Sequence, residues 1–125
     1  MDRLEEIVAR LPEAVRVDIA AWGGEPTFRV GGKAFVFAST DARTVTVKLS
    51  KEEAEAVTAT DPDVVPTGHG LGRHGWVSVT VGGRFSRPRW REIEEWVRTS
   101  YTLVAPKRLA RKVLDQDQPS IPRLG

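Results

Sequence analysis

The sequence contains no cysteine, one tyrosine and one methionine, and aromatic residues make up only 7% of it. The lack of cysteine excludes disulfide bonds, thiolate metal ligands and a cysteine nucleophile from these 125 residues. No apolar run approaches the ~20 residues that a membrane-spanning helix needs, so we expect no membrane partner. Residues 1–6 are acidic and amphipathic, unlike a signal peptide. These features lead us to expect a cytoplasmic protein.

The charge is small overall but unevenly distributed along the chain. The net charge is +2, yet residues 1–72 hold 8 Lys and Arg against 12 Asp and Glu, whereas residues 73–125 hold 11 against 5. The first part therefore carries −4 and the second +6. This asymmetry predicts an anionic partner for the second part, provided that the fold gathers its basic side chains on one surface.

Five segments alternate apolar and polar residues with the period of two that is typical of half-buried strands. Gly31-Gly32 separates the second segment from the third and predicts a two-residue hairpin turn. In that hairpin Val30 lies opposite Lys33, and Phe28 lies opposite Phe35 as an aromatic cross-strand pair. Phe28, Val30, Phe35 and Phe37 then share one apolar face. The five segments are residues 15–19, 27–30, 33–38, 44–49 and 76–81.

Two helices are predicted in the first half of the chain. Asp2 caps the first of them. Residues 50–53, Ser-Lys-Glu-Glu, form the capping box of the second, which ends near Thr60. The Pro- and Gly-rich residues 63–71 are predicted to be a loop.

A long helix follows the last predicted strand. Ser86 caps it, with Pro88 in its first turn, and it ends at Ala105 because the residue before a proline disfavours the helical conformation. Residues 107–114 form a short last helix. The long helix carries one apolar stripe at helical spacing, made of Trp90, Ile93, Val97, Tyr101 and Val104.

Together these elements predict an α+β fold. We expect a two-layer sandwich in which helices cover one face of an antiparallel sheet of about five strands. The domain spans residues 1–114, and residues 115–125 form a C-terminal tail with few apolar residues.

Three segments carry a resemblance to a known family. They are residues 26–33 (Pro-Thr-Phe-Arg-Val-Gly-Gly-Lys), 72–77 (Gly-Arg-His-Gly-Trp-Val) and 100–108 (Ser-Tyr-Thr-Leu-Val-Ala-Pro-Lys-Arg). In this order they resemble the MmcQ/YjbR family, and the likeness spans most of residues 4–111. The resemblance implies a bacterial frataxin (CyaY-like) fold. It also implies DNA binding, the label that members commonly carry, through a proposed pair of hairpin wings, and it brings no agreed catalytic site.

Basic side chains are concentrated in two clusters of the second half. Cations at the start of a helix oppose its dipole, so the cluster around Ser86 is not placed there for helix stability, and an anion would be bound by both amides and guanidinium groups. The alternative is a solvated face with local pairs such as Arg91 with Glu95. A phosphate-binding set also takes in the hairpin wing. Its members are Arg29, Lys33, Arg73, Arg84, Arg87, Arg89, Arg91, Lys107, Arg108 and Arg111.

Catalytic and metal-binding patterns are weak. His69 and His74 lie in a Gly-rich loop without a clear third ligand, so we expect no metal site. Residues 68–72, Gly-His-Gly-Leu-Gly, lack the Gly-Lys-Ser/Thr ending of a phosphate loop and precede a strand. No serine has the context of a nucleophile elbow. We therefore expect a protein that is not an enzyme and has no cofactor.

Two functions remain as hypotheses. The first is a non-enzymatic DNA-binding protein that contacts phosphates with little sequence specificity. The alternative is a protein-interaction module that uses the open face of the sheet around Trp76, which the alternation places on the polar side. A monomer is the expectation for the oligomeric state. Replacing Arg87, Arg89 and Arg91 by glutamate is expected to leave the fold intact, since glutamate suits a helix N-terminus.

Overall fold

The computed structural model describes residues 1–20, 23–41, 43–81 and 89–117, without the side chains of residues 116 and 117. Its helices are α1 (Asp2–Ala9), α2 (Lys51–Thr60), α3 (Trp90–Val104) and α4 (Lys107–Asp117). Its strands are β1 (Val15–Ile19), β2 (Glu25–Val30), β3 (Lys33–Ala38), β4 (Thr44–Lys48), β5 (Val64–Pro66) and β6 (Trp76–Thr80). The strands form one sheet in the order β1-β2-β3-β4-β6-β5, and every neighbouring pair is antiparallel.

The predicted α+β fold with an antiparallel sheet is confirmed, but the sheet has six strands rather than about five. The additional strand is β5, which lies in the segment predicted to be a loop. It pairs with β6, with Val64 opposite Val79. Three residues ending in proline are too few to show an alternating pattern, and this is why the prediction missed the strand.

A β-bulge in the β2–β3 hairpin changes the predicted register. Gly31 and Gly32 both have positive φ, as a two-residue hairpin turn requires, and Val30 lies opposite Lys33 as predicted. The register then shifts, so that Phe28 lies opposite Val36 instead of Phe35. The predicted Phe28–Phe35 cross-strand pair is therefore wrong. Phe35 is the additional residue of the bulge, and a bulge leaves no mark in the alternation of residue types.

The bulge also corrects the predicted position of Phe37. Phe35 and Val36 are both fully buried, so Phe37 lies on the opposite face of the sheet. There its ring packs edge-on against Trp76, with centroids 5.5 Å apart. Phe28, Val30 and Phe35 belong to the core as expected, whereas Phe37 does not.

The core lies between the sheet and α1, α2 and α3. Valines of β4 and β6 pack with Ile93 and Val97 of α3, and all of these side chains are buried. Ser100 ties α3 to the sheet, since its hydroxyl donates to the Phe35 carbonyl at 2.6 Å and accepts from the Lys48 amide at 2.9 Å. Tyr101 packs edge-on against Phe35 at 5.4 Å.

The helix ends match the predictions in part. Ser50 caps α2 by accepting from the Glu53 amide at 3.2 Å, as the capping box predicts. In α3, Arg89 is the N-cap residue and the helix begins at Trp90. The predicted cap, Ser86, and Pro88 lie outside the described residues. The helix ends at Val104 before Ala105 and Pro106, as predicted, and α4 continues to Asp117, past the predicted end at residue 114.

Gly75 fixes the entry into β6. Its φ is +91°, and a Cβ atom there would lie 2.1 Å from the carbonyl oxygen of Leu49. The same two residues are joined by a hydrogen bond from the Leu49 amide to the Gly75 carbonyl at 2.9 Å. Only glycine allows this approach, which holds the turn Gly72–His74 against the end of β4.

Candidate nucleic-acid interface

One end of the sheet collects basic side chains from three strands and a turn. Because the strands are antiparallel, β2 and β4 end where β3 and β6 begin. Arg29 and Lys33 flank the β2–β3 turn. Lys48 lies opposite Trp76 in the β4–β6 pair, and Arg73 comes just before that tryptophan in the chain.

The start of α4 lies at the same end. Gly31 in the hairpin turn packs against the ring of Pro106, whose Cδ would be 3.4 Å from a Cβ atom on the glycine. Lys33 and Lys107 therefore lie on either side of one contact. We call this region the basic end and define it by Arg29, Lys33, Lys48, Arg73 and Lys107. The prediction omitted Lys48; the register of β4 against β6 reveals its place.

The basic residues of α4 point away from the core. Lys107, Arg108 and Arg111 are exposed, whereas Leu109 and Val113 are buried. Arg108 pairs with Glu13, with 3.1 Å between Nη1 and Oε2. Both side chains are well exposed, and such a pair contributes only about 0–1 kcal/mol. A phosphate group could therefore replace the Glu13 carboxylate as the partner of Arg108 at little energetic cost.

Arg29 is half-buried and Arg73 is exposed, and one donor nitrogen anchors each of them. Arg29 Nε donates to the Thr27 hydroxyl at 3.2 Å, and Arg73 Nε donates to the Gly70 carbonyl at 3.2 Å. Both partners are neutral, and among the described residues neither guanidinium forms a salt bridge with a carboxylate. The anchored nitrogen orients each guanidinium while its charge stays available to an anion.

Arg89 does not belong to a phosphate-binding surface. Its side chain is 10% exposed and makes a two-point ion pair with Asp61, with distances of 2.6 Å and 3.1 Å. Asp63 lies 3.8 Å away. The hydrogen bond to Asp61 is the main reason that the pKa of Arg89 is raised. A cation at the start of α3 is therefore explained by a pairing within the chain, and Arg89→Glu would place a third carboxylate beside Asp61 and Asp63.

Arg91 of the first predicted basic cluster and Lys107 of the second lie at the two ends of α3. Arg91 is exposed in the first turn of α3, whereas Lys107 follows the last turn of that helix. A helix of 15 residues is about 22 Å long, so these two residues lie at opposite ends of the molecule's longest helix. Arg84 and Arg87 lie outside the described residues.

Trp76 is half-buried rather than bare. It packs against Phe37 on the sheet face that no described helix covers. Close by on that face the Ser78 hydroxyl lies 2.9 Å from the hydroxyl of Thr46 and 3.0 Å from that of Thr67. Trp76 is therefore part of a packed polar and aromatic layer, and this reduces its suitability as the isolated anchor of the alternative hypothesis.

A groove of ≈ 410 Å³ opens between α2, α3 and α4. Its walls include Glu53, Trp96, Thr99 and Leu114, and the Thr102 hydroxyl in it donates to the Thr99 carbonyl at 2.8 Å. No histidine or cysteine is among its described lining residues. His69 and His74 are exposed. In the described part of the chain, no three His, Asp or Glu side chains are grouped so that they could hold a metal ion.

Comparisons with known proteins agree on one family and one fold. The family model described as YjbR matches residues 9–103. The comparison with curated proteins gives no match. Among solved structures, the crystal structure of Deinococcus radiodurans protein DR2400, which carries the DUF419 domain, is similar with a TM-score of 0.68. The similarity covers 99% of this chain and 94% of that chain at 21% identity, and it shows the fold alone. None of the described helices is long and apolar enough to cross a membrane.

Proposed function

Since the chain belongs to the YjbR family, whose model spans residues 9–103, we propose that it is a non-enzymatic protein that binds DNA through phosphate contacts. The observation that supports this proposal most is the basic end. Cationic side chains lie there around one end of the sheet. They come from β2, β3, β4, the turn before β6 and α4.

The basic end suits a phosphate backbone because its charges come from separate elements. Lys33 and Lys107 are exposed and lie within two residues of Gly31 and Pro106, which are in contact at the hairpin turn. Arg73 adds a guanidinium in the turn before β6, and β6 is the second strand from β3 in the sheet. A row of cations spaced over several strands follows successive phosphates better than one compact cluster does. Contacts of this kind position a duplex without reading its sequence.

The expected binding is weak, dependent on salt and nearly independent of sequence. Four or five phosphate contacts predict a slope of roughly −4 when log K is plotted against log salt concentration. Two of the exposed charges at this end, Lys33 and Lys107, are flexible lysines, and a lysine contacts a phosphate as a point charge without fixed orientation. Localisation in the cytoplasm accompanies the proposal.

The test compares two triple variants that change the net charge equally. Lys33→Glu, Arg73→Glu and Lys107→Glu reverse the basic end. Arg3→Glu, Arg43→Glu and Arg91→Glu reverse three exposed arginines located elsewhere. In anisotropy titrations with a labelled duplex at several salt concentrations, we expect the first variant to bind at least about tenfold more weakly, with a slope shallower by about 2–3. The second variant is expected to keep most of the affinity.

Two results would contradict the proposal. Wild-type protein that does not bind duplex at low salt would end it. An equal loss in both variants would show that net charge alone drives binding, without a localised site. Far-UV circular dichroism of each variant establishes that the fold is retained.

The alternative function, a protein-interaction module around Trp76, has less support. Trp76 is half-buried and packed against Phe37, so a partner would gain little new apolar contact from it. In the same titrations, Trp76→Ala is expected to leave duplex binding nearly unchanged. This keeps the two functions experimentally separate.

A further inference from the structure

The edge strand β1 pairs with β2, and none of its residues is buried, although Arg16 forms an ion pair with Glu5 of α1 on the helix side. Of the six strands described, β1 alone has no buried residue. Val15 is 56% exposed and Val17 39% exposed, because these side chains lie on the sheet face opposite the helices. Arg16 and Asp18 lie on the helix side and are also exposed. An apolar strand in this position leaves an unpaired row of backbone groups facing outward.

The two edges of the sheet differ in how they are protected. At the other edge, β5 has only three residues, ends in Pro66 and buries Val64; short length and proline both discourage pairing with another strand. β1 has five residues without proline, glycine or lysine, and it pairs with β2 in continuous register. Its charged residues, Arg16 and Asp18, are of opposite sign and bind each other at 2.8 Å.

We propose that β1 pairs with β1 of a second copy of this chain, antiparallel and centred on Val17. The sequence of the strand, Val-Arg-Val-Asp-Ile, is complementary to itself in that arrangement. Val17 meets Val17 of the partner subunit. Arg16 meets Asp18 of the partner subunit twice, once on each side of the twofold axis, and Val15 meets Ile19 of the partner subunit. Apolar side chains then face each other on one face and opposite charges on the other.

No other register satisfies the same strand. A shift of two residues places either Arg16 or Asp18 opposite its own copy, and like charges directly opposite each other destabilise a strand pair. A shift of one residue sets charged positions against valines and turns the apolar side chains of one copy to the wrong face. The charge pattern therefore selects one alignment. Because each copy uses the same edge, β1, the assembly closes as a twofold dimer instead of growing into a fibre.

The dimer is expected to be weak. A five-residue strand is about 17 Å long, and an edge of this length covers less than the ~800 Å² per partner of a standard stable interface. We therefore expect dissociation at micromolar concentration and dimer formation as the concentration approaches the millimolar range. The measurement is sedimentation velocity over that range, in which the mass should rise from 13.8 kDa towards about twice that value.

Charge reversal tests the alignment. Arg16→Asp alone places two acidic residues opposite each other, and Asp18→Arg alone does the same with basic residues, so each variant should remain monomeric. An equimolar mixture of the two variants restores opposite charges and should give a heterodimer at the wild-type concentration. Val65→Lys on β5 is the matched control, since Val65 is an exposed valine at the other edge, and it should dimerise like the wild type.

A cysteine crosslink tests the same alignment through geometry. The chain has no cysteine, so any disulfide formed is specific to the position introduced. Directly opposed residues of antiparallel strands are about 4.5–5.5 Å apart, which a disulfide can span. Val17→Cys is therefore expected to crosslink on mild oxidation. Val15→Cys lies on the same face, but its copies are four residues, about 13 Å, apart along the pair, and it should crosslink far less.

Several outcomes would overturn the proposal. They are a wild-type protein that stays monomeric at millimolar concentration, a dimer that survives either single charge reversal, and a mixture of the two reversals that does not associate. Equal crosslinking of Val17→Cys and Val15→Cys would also overturn it, because random collisions would then explain the disulfide.

Discussion

Removing the guanidinium group of Arg89 is the most informative test of the fold. The change is Arg89→Met, which keeps an unbranched side chain of similar length and deletes the guanidinium. Asp61, whose side chain is 15% exposed, then loses a two-point partner at 2.6 Å and 3.1 Å. Breaking a buried pair in this way costs about 3–5 kcal/mol. Since both side chains keep some contact with water, we expect a loss of about 2–4 kcal/mol in the free energy of unfolding.

The assay is urea denaturation followed by tryptophan fluorescence, with a thermal melt as a second measurement. At about 4 °C per kcal/mol for a domain of this size, the melting temperature should fall by roughly 8–16 °C. Arg91→Met, two residues further along α3 and exposed, is the matched control and should change stability by less than about 0.5 kcal/mol. In the double variant Arg89→Met with Asp61→Asn, the remaining group is neutral, so about 1–2 kcal/mol should be recovered. Equal effects of Arg89→Met and Arg91→Met would refute the assignment of Arg89 to a structural ion pair.

Two further predictions concern other parts of the fold. Gly75→Ala should cost at least about 3 kcal/mol, since its Cβ would lie 2.1 Å from the Leu49 oxygen; Gly24→Ala, which has positive φ in open space, should cost only about 1–2 kcal/mol, and equal costs in urea denaturation would contradict the clash. Burial raises the pKa of the Tyr101 phenol, so its contribution to stability is complete below the ordinary tyrosine pKa and is lost as the pH rises through the higher folded value. The chain has a single tyrosine, so a tyrosinate absorbance titration should show a midpoint above that of free tyrosine in the folded protein and the ordinary midpoint in urea; identical midpoints would contradict the burial.

The alternation of residue types was sufficient to predict most of the sheet. Five of the six strands and the Gly31-Gly32 turn were predicted, because one face of each long strand is apolar and glycine supplies the positive φ of the turn. The missed strand, β5, lacks the length to show a period. The order of the strands, with β6 between β4 and β5, is a tertiary property that periodicity does not contain.

The candidate site was harder to predict than the fold because charge has no period. Residue type alone does not distinguish Arg89, which is paired with Asp61 within the chain, from Arg91, which is exposed two residues later. The partner lies 28 positions away in sequence, and only the fold brings the two together. In the same way, Lys48 became a member of the basic end only once β4 had been placed beside β6. The DNA-binding assignment stays a prediction until the titrations are done.

The additional residue in β3 changes which residue numbers face the core along this strand. Phe35 is the last odd-numbered residue in the core, and from Val36 onward the even-numbered residues lie there. The number of residues in the hairpin therefore determines which side chain packs against Trp76. Removal of one residue between Lys33 and Val36 would restore a regular alternation along β3. Only one of the two parts of the strand, before or after the bulge, would then keep its present orientation. The contact between Phe37 and Trp76 on the outer face thus depends on Phe35, which is buried on the opposite face of the sheet.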